Sequence, residues 1–137
     1  MNRRKLGNIK QCLGSFDIEF KSGAESGKNC VLVQAGKLEV LFNKDNALDI
    51  SRVRYRGENI SFLSKNGINS DEGEFAERFE GGFLYTCGTD NVSSCVKGKP
   101  VHGSLHYKKA ENVYSFTENE KITVGGDVRV TALFGEN

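Results

Sequence analysis

The sequence predicts an all-β chain of antiparallel strands joined by turns and long loops. Three observations carry this. Polar and apolar residues alternate with period two in several short segments, as on a strand with one buried face. Glycine is abundant, at 16 of 137 residues, whereas proline occurs once, a pattern of many short strands and tight turns. Helical patterning is short wherever it occurs: residues 1–14 are poorly amphipathic, and Glu72 to Phe79 offers one or two turns.

The elements follow in order. Ser15 to Phe20 alternates strictly and reads as a half-buried strand, with Lys21 to Lys28 as a turn. Cys30 to Gln34 and Lys37 to Phe42 flank Ala35-Gly36, so residues 30–42 read as a hairpin. Leu48 to Tyr55 reads as a strand with Leu48, Ile50 and Val53 facing inward. Its alternation breaks between Asp49 and Arg52, which predicts a β-bulge. Arg56 to Asn59 turns the chain into a strand over Ile60 to Leu63. Residues 64–80 read as a long acidic loop with a short helix, a kind of segment that is usually functional or mobile. Val101 to Tyr107, Asn112 to Phe116, Lys121 to Val124 and Val128 to Phe134 read as strands. The turns between the last three are Thr117 to Glu120 and Gly125 to Asp127. The final strand would leave an unpaired edge unless another chain or segment covers it.

Composition narrows the function. The 19 basic and 18 acidic residues leave a formal net charge of +1, which gives no electrostatic reason to expect a nucleic-acid partner. The basic start, Asn2 to Lys5, reads as a solvated terminus. No apolar run approaches a membrane span, and Gly7, Asn8, Lys10 and Gln11 interrupt any signal-peptide core. A cytoplasmic protein away from membranes is the expectation. Cys12, Cys30, Cys87 and Cys95 are then read as reduced thiols.

The densest chemistry lies in Phe79 to His106, FEGGFLYTCGTDNVSSCVKGKPVHGSLH. It combines a Gly-Gly pair, a Thr-Cys-Gly-Thr-Asp-Asn turn and a His-Gly pair. Glycine lets a ligand approach the backbone, while Asp, Asn and His supply acceptors, donors and a proton carrier. The span reads as the floor of a polar small-molecule pocket. Cys87, Cys95, His102 and His106 have zinc-ligand chemistry, but seven residues separate the cysteines, unlike the close knuckle of structural sites. No metal site is expected. Cys87 has no feature that would lower its pKa for nucleophilic work. Neither glycine pair has a phosphate-loop pattern, and nothing calls for a cofactor.

Three stretches resemble the amino-terminal part of a bacterial family of aldose 1-epimerase-like proteins, DUF4432. They are Leu48-Asp49-Ile50-Ser51-Arg52 with Tyr55-Arg56-Gly57, then Gly81 to Val92, then Val101-His102-Gly103-Ser104-Leu105. The resemblance runs from about residue 6 to the last residue. It implies the fold of galactose mutarotases, a large two-sheet β-sandwich or supersandwich. Members of the family are longer, so the resemblance also implies a single truncated domain over residues 1–137. A truncated or split reading frame, or a chain shortened on purpose, would give this.

Mutarotation interconverts sugar anomers through the open form, and needs an acid at the ring oxygen and a base at the C1 hydroxyl. A histidine, with an unperturbed pKa of roughly 6.5, suits the acid role. The resemblance places His102 at the first mutarotase histidine, and implies that the base is a Glu from the later half of the family's chain. A histidine that merely hydrogen-bonds at a strand–loop junction is the competing reading. Asp90 and Asn91 would bind sugar hydroxyls, or else form an Asx-turn. Asp49 and Arg52 would reach the pocket from a neighbouring strand, or else pair on a solvated face. Arg78 would donate to sugar oxygens, or else sit on the surface of a short helix. His106 would share a strand face with His102, or be half-exposed. Glu72, Glu74, Glu77 and Glu80 give no obvious reason to replace the absent base. The implied function is a carbohydrate-binding, mutarotase-like protein with little activity alone. The alternatives are a non-catalytic carbohydrate-binding or interaction module, or an inactive fragment. The implied partners are a sugar and, across the exposed sheet edge, a second copy or a complementary carboxy-terminal half.

Overall fold

The computed structural model describes residues 6–68, 75–86, 92–96, 99–102, 105 and 108–128. Among these the fold is all-β and antiparallel. Its centre is a five-stranded sheet in sequential order: β1 (Leu13–Glu19), β2 (Asn29–Ala35), β3 (Leu38–Asn43), β4 (Asp49–Tyr55) and β5 (Glu58–Asn59). Three two-stranded pieces complete it. They pair β6 (Phe62–Leu63) with β7 (Gly81–Gly82), β8 (Val92–Val96) with β9 (Lys99–His102), and β10 (Glu111–Glu118) with β11 (Lys121–Asp127). The only α-helix among the described residues is α1 (Phe75–Arg78).

Turn chemistry fixes the register of the sheet. Ala35 pairs with Leu38 around Gly36-Lys37, with Gly36 at φ +64°, the backbone that a two-residue hairpin demands. Tyr55 pairs with Glu58 around Arg56-Gly57, both at positive φ. The predicted hairpin at 30–42 is thus present, one residue longer at each end. The first strand starts earlier than its pattern suggested, at Leu13. A 3-10 turn over Ile9–Gln11 precedes it, capped by Asn8, whose side chain accepts from the Lys10 amide.

The core lies around β2. Cys30 and Val31 are both fully buried; adjacent strand residues face opposite sides, so both faces of β2 are covered. Cys30, Leu41 and Ile68 form one cluster, with Ile18, Phe20 and Leu32 packed against it. The β10–β11 hairpin lies against β1 and β2.

Two expectations need correction. Gly125-Gly126-Asp127 is not a turn but the end of β11, paired with β10. The Tyr114 ring lies across Gly125, where an added Cβ would run into its hydroxyl. The glycines clear space for a ring. The inward set of β4 also differs. Asp49, Ser51 and Val53 are buried, while Leu48 sits before the strand at φ +62°. The predicted last strand at 128–134 lies almost wholly outside the described residues.

Candidate functional site

The site begins with the bulge in β4. Leu41 faces Arg52 and Phe42 faces Ile50, so Ser51 is the extra residue. The insertion changes the phase of the strand. Asp49, opposite Asn43, and Arg52, opposite Leu41, therefore share the face that carries Cys30 and Leu41. Ser51 itself is fully buried. The loop entering β4 is held at both sides: the Ala47 amide donates to Lys108 O at 2.7 Å, and the Ala110 amide to Lys44 O at 2.7 Å. Ala47 and Leu48 both occupy the left-handed region, at a cost of about 1 kcal/mol or more each.

The segment 75–86 closes over this face. Aromatic rings fix it in place. Phe79 packs on Phe75 at 5.3 Å, on Tyr85 at 5.0 Å and on Phe62 at 6.3 Å between ring centres. The Gly-Gly pair then passes very close to its neighbours. A Cβ on Gly81 would fall 2.7 Å from Phe62 O, and one on Gly82 would fall 2.9 Å from Ile50 O. Both residues have positive φ. The close approach these glycines permit is therefore to β4 and β6. Beyond them the Phe83 amide donates to Ile50 O at 2.8 Å, and the Thr86 amide donates to Asp49 Oδ2 at 2.7 Å.

Between the segment and the sheet lies a buried polar cluster. Glu80, Asn43, Asn46, Asp49 and Ser51 are all more than nine-tenths buried. Asn43 Nδ2 donates to Glu80 Oε2 at 2.9 Å. Asn43 Oδ1 accepts from the Asp45 amide, which fixes the orientation of its side-chain amide. Burial raises the proton affinity of Glu80, and the charge of Asp49 raises it further; the side chains of Asn43, Ser51 and Asn46 act the other way. Burial also raises that of Asp49, against the opposing Thr86 hydrogen bonds. Glu80 Oε1, Ser51 Oγ, Asn46 Oδ1 and Arg52 Nε make no well-aligned hydrogen bond among the described residues, although Ser51 and Asn46 stand close enough to Glu80 to favour its charge. The desolvation of these groups is thus only partly offset. The Cys30 thiol beneath is pushed up to about 12, first by burial and then by Glu80 and Asp45. It is packing, not a nucleophile.

Two carboxylates of raised proton affinity in one cluster are groups able to hold or transfer a proton nearer neutrality than free carboxylates. Hydroxyl, amide and guanidinium groups stand beside them. Among the described residues, no group of three or more His, Cys, Asp or Glu is placed to hold a metal ion. No helix is long and apolar enough to cross a membrane among those residues.

A family described as "Domain of unknown function (DUF4432)" matches residues 25–137. The chain belongs to the DUF4432 family. The match begins at residue 25 rather than near residue 6. No curated protein and no solved structure matches the chain.

In this DUF4432 chain, the sequence-predicted site residues divide into three groups. Asp49 and Arg52 come together on one face. Among the described residues they form no ion pair with each other: Asp49 is buried and accepts from the Thr86 amide, and Arg52 buries its Nε. Arg78 ends α1, two residues ahead of Glu80. His102 closes β9, its backbone opposite Val92. Asp90, Asn91 and His106 lie outside the described residues. Glu80 is the residue that sequence reasoning passed over, because it reads as one more acid in a polar loop. A weak signal existed: it stands between Phe79 and Gly81, flanked by a residue that packs and one that bends, though Glu74 shares that pattern between Gly73 and Phe75. A hollow of about 460 Å³ lined by Leu6, Ile9, Leu13, Thr117, Asn119 and Glu120 contains none of the candidate residues.

Proposed function

We propose that this protein recognises a neutral sugar and belongs with the aldose 1-epimerase-like proteins, built on a galactose-mutarotase-like sandwich. One observation supports the reading above others. Asp49 and Glu80, both of raised proton affinity, share a polar cluster that anchors Thr86, where the Cys87 to Val92 motif begins. Carboxylates beside amides and an arginine are the usual partners of sugar hydroxyls. In this reading Asp90 and Asn91, four and five residues beyond Thr86 in the sequence, bind sugar hydroxyls. His102 supplies the imidazole that the resemblance assigns to the sugar.

A second reading, recognition without turnover, is favoured by the burial of Glu80 and Asp49, both under 5 % exposed. Groups that covered do not exchange protons with a ligand directly. Two assays separate the readings. Calorimetry against a panel of aldoses tests recognition, and polarimetry of freshly dissolved α-glucose or α-galactose tests turnover. Saturable binding lost on Asp49→Asn supports the first reading's site. Anomer interconversion above the buffer rate, lost on His102→Ala, adds catalysis to it. No binding to any aldose removes the carbohydrate assignment altogether.

A further inference from the structure

Alternation and register decide which side chains share the outer face of the β10–β11 hairpin. Val113, Ser115, Ile122 and Val124 are half-buried and turn toward β1 and β2, against which the hairpin lies. Tyr114 and Phe116 stand two residues apart on β10 and point the other way. Gly125 and Thr123 of β11 lie directly opposite them, and Glu118 lies opposite Lys121. The turn at Asn119-Glu120 has both residues at positive φ, the two-residue geometry that holds such a register.

The two rings on this face lie flat and side by side. A Cβ built on Gly125 would fall 2.5 Å from Tyr114 Cζ and 3.0 Å from Cε1, and against the hydroxyl. Those distances put it beneath the face of the ring, because a point in the ring plane that close to Cζ and the hydroxyl would nearly touch a Cε carbon. The Phe116 ring is within 15° of parallel, with its centre 6.2 Å away. That is close to the spacing of alternate residues along a strand, about 6.7 Å. Gly125 does not have positive φ, so its backbone would accept a side chain, and the glycine serves the ring alone. Covering a glycine explains Tyr114. It does not explain Phe116, which stands opposite a threonine.

Magnitudes select the occupant. Tyr114 is 54 % and Phe116 48 % exposed, which together offer about 200 Å² of ring surface. A protein partner would cover about 800 Å², so the platform suits a small ligand. The hairpin carries Glu111, Glu118, Glu120 and Asp127 against Lys121, four acids and one base, for a net charge of −3. That repels a phosphate backbone. Glu118 and Thr123, on the same face, offer acceptors and a donor to hydroxyl groups. A flat apolar floor with a polar rim fits a neutral sugar, whose C–H bonds form its faces and whose hydroxyls project from its edge. Two near-parallel rings side by side fit consecutive sugar units joined by equatorial bonds into a flat ribbon. We propose that this face binds a neutral β-1,4-linked oligosaccharide, one sugar unit on Tyr114 and the next on Phe116. The platform is separate from the Asp49–Glu80 cluster and does not depend on it.

The test uses the whole chain, amide-resolved NMR and cellotetraose. Saturable shifts are expected at the Tyr114, Phe116, Thr123 and Gly125 amides. Phe116→Thr is the decisive variant, because threonine favours a strand and pairs well with the Thr123 opposite. It is expected to melt at nearly the same temperature as the parent, yet to bind at least five-fold more weakly. Tyr114→Thr, a second ring deletion, is expected to weaken binding likewise, whereas Tyr114→Phe keeps the ring and the affinity. Maltotetraose, whose axial linkages curl the chain, is expected to bind several-fold less tightly. No saturable shift at the platform amides, or unchanged affinity in a folded Phe116→Thr, would overturn the site. Shifts at the Thr86 amide with the platform silent would also overturn it, while leaving the Asp49 reading intact. Equal affinity for maltotetraose would overturn the ribbon assignment.

Discussion

Replacing Gly81 by alanine tests whether the Gly-Gly bend is a close-packed joint. Gly57 provides the matched control. The two residues have nearly the same backbone, at φ +88° and +87°. An alanine at either pays for a left-handed conformation, about 1–2 kcal/mol. Their surroundings differ. A Cβ on Gly57 meets nothing within 4 Å, whereas one on Gly81 falls 2.7 Å from Phe62 O and 3.0 Å from the Ser64 amide nitrogen. Both of those are main-chain atoms in the β6–β7 pairing and cannot rotate away. Overpacking of this kind adds about 1–3 kcal/mol. Gly57→Ala is therefore expected to cost about 1 kcal/mol and Gly81→Ala about 3–4 kcal/mol. The chain contains no tryptophan, so urea unfolding is best followed by far-ultraviolet circular dichroism. With an m-value of about 2 kcal/mol/M, the two midpoints would differ by about 1 M. Equal losses in the two variants would show that the contacts around Gly81 carry no energy, and would refute the joint.

Three further outcomes are expected. Glu80→Gln keeps the shape and removes the buried charge. Because the folded carboxyl has a proton affinity raised above its ordinary value of 4.5, its stabilising contribution is present below that pH and is lost as pH rises through the folded value. The variant should therefore match the parent near pH 4.5 and exceed it at pH 8, by on the order of 1 kcal/mol, or about 3 °C in Tm. A melting difference independent of pH would contradict this. Leu41→Ala empties a site that is 1 % exposed and should cost about 3 kcal/mol; a loss under 1 kcal/mol in urea unfolding would mean that the cluster collapses around the gap. Cys30 should resist iodoacetamide in the native protein at pH 8 at least a hundred-fold better than in urea, since the thiol is buried and pushed up to about 12; peptide mapping that finds it modified as fast as in urea would refute its burial.

The central sheet was legible because its signals are local. The glycine at position 36 sits between two alternating runs, and that alone sets the hairpin. The bulge showed as a break in alternation between Asp49 and Arg52, where the sheet contains it. Burial of polar side chains was not legible. Asp49 and Glu80 look like solvated acids because nothing near them in sequence covers them; they are covered by each other's segments, 31 residues apart by their numbers. Glycine pairs misled in two ways. Gly125-Gly126 signals a turn by composition, yet it makes room for Tyr114. Gly81-Gly82 signalled access for a ligand, yet the atoms it admits belong to Phe62 and Ile50.

The extra residue at Ser51 has a consequence for how this sheet tolerates change. Remove it, and Ile50 and Arg52 become neighbours still opposite Phe42 and Leu41, so that Asp49 and Arg52 keep one face and no charge crosses the sheet. What such a deletion takes away is the local bend and added twist of the strand beneath the polar cluster. Loss of one residue here should therefore be tolerated in register, at the expense of the curvature on which the overlying segment rests.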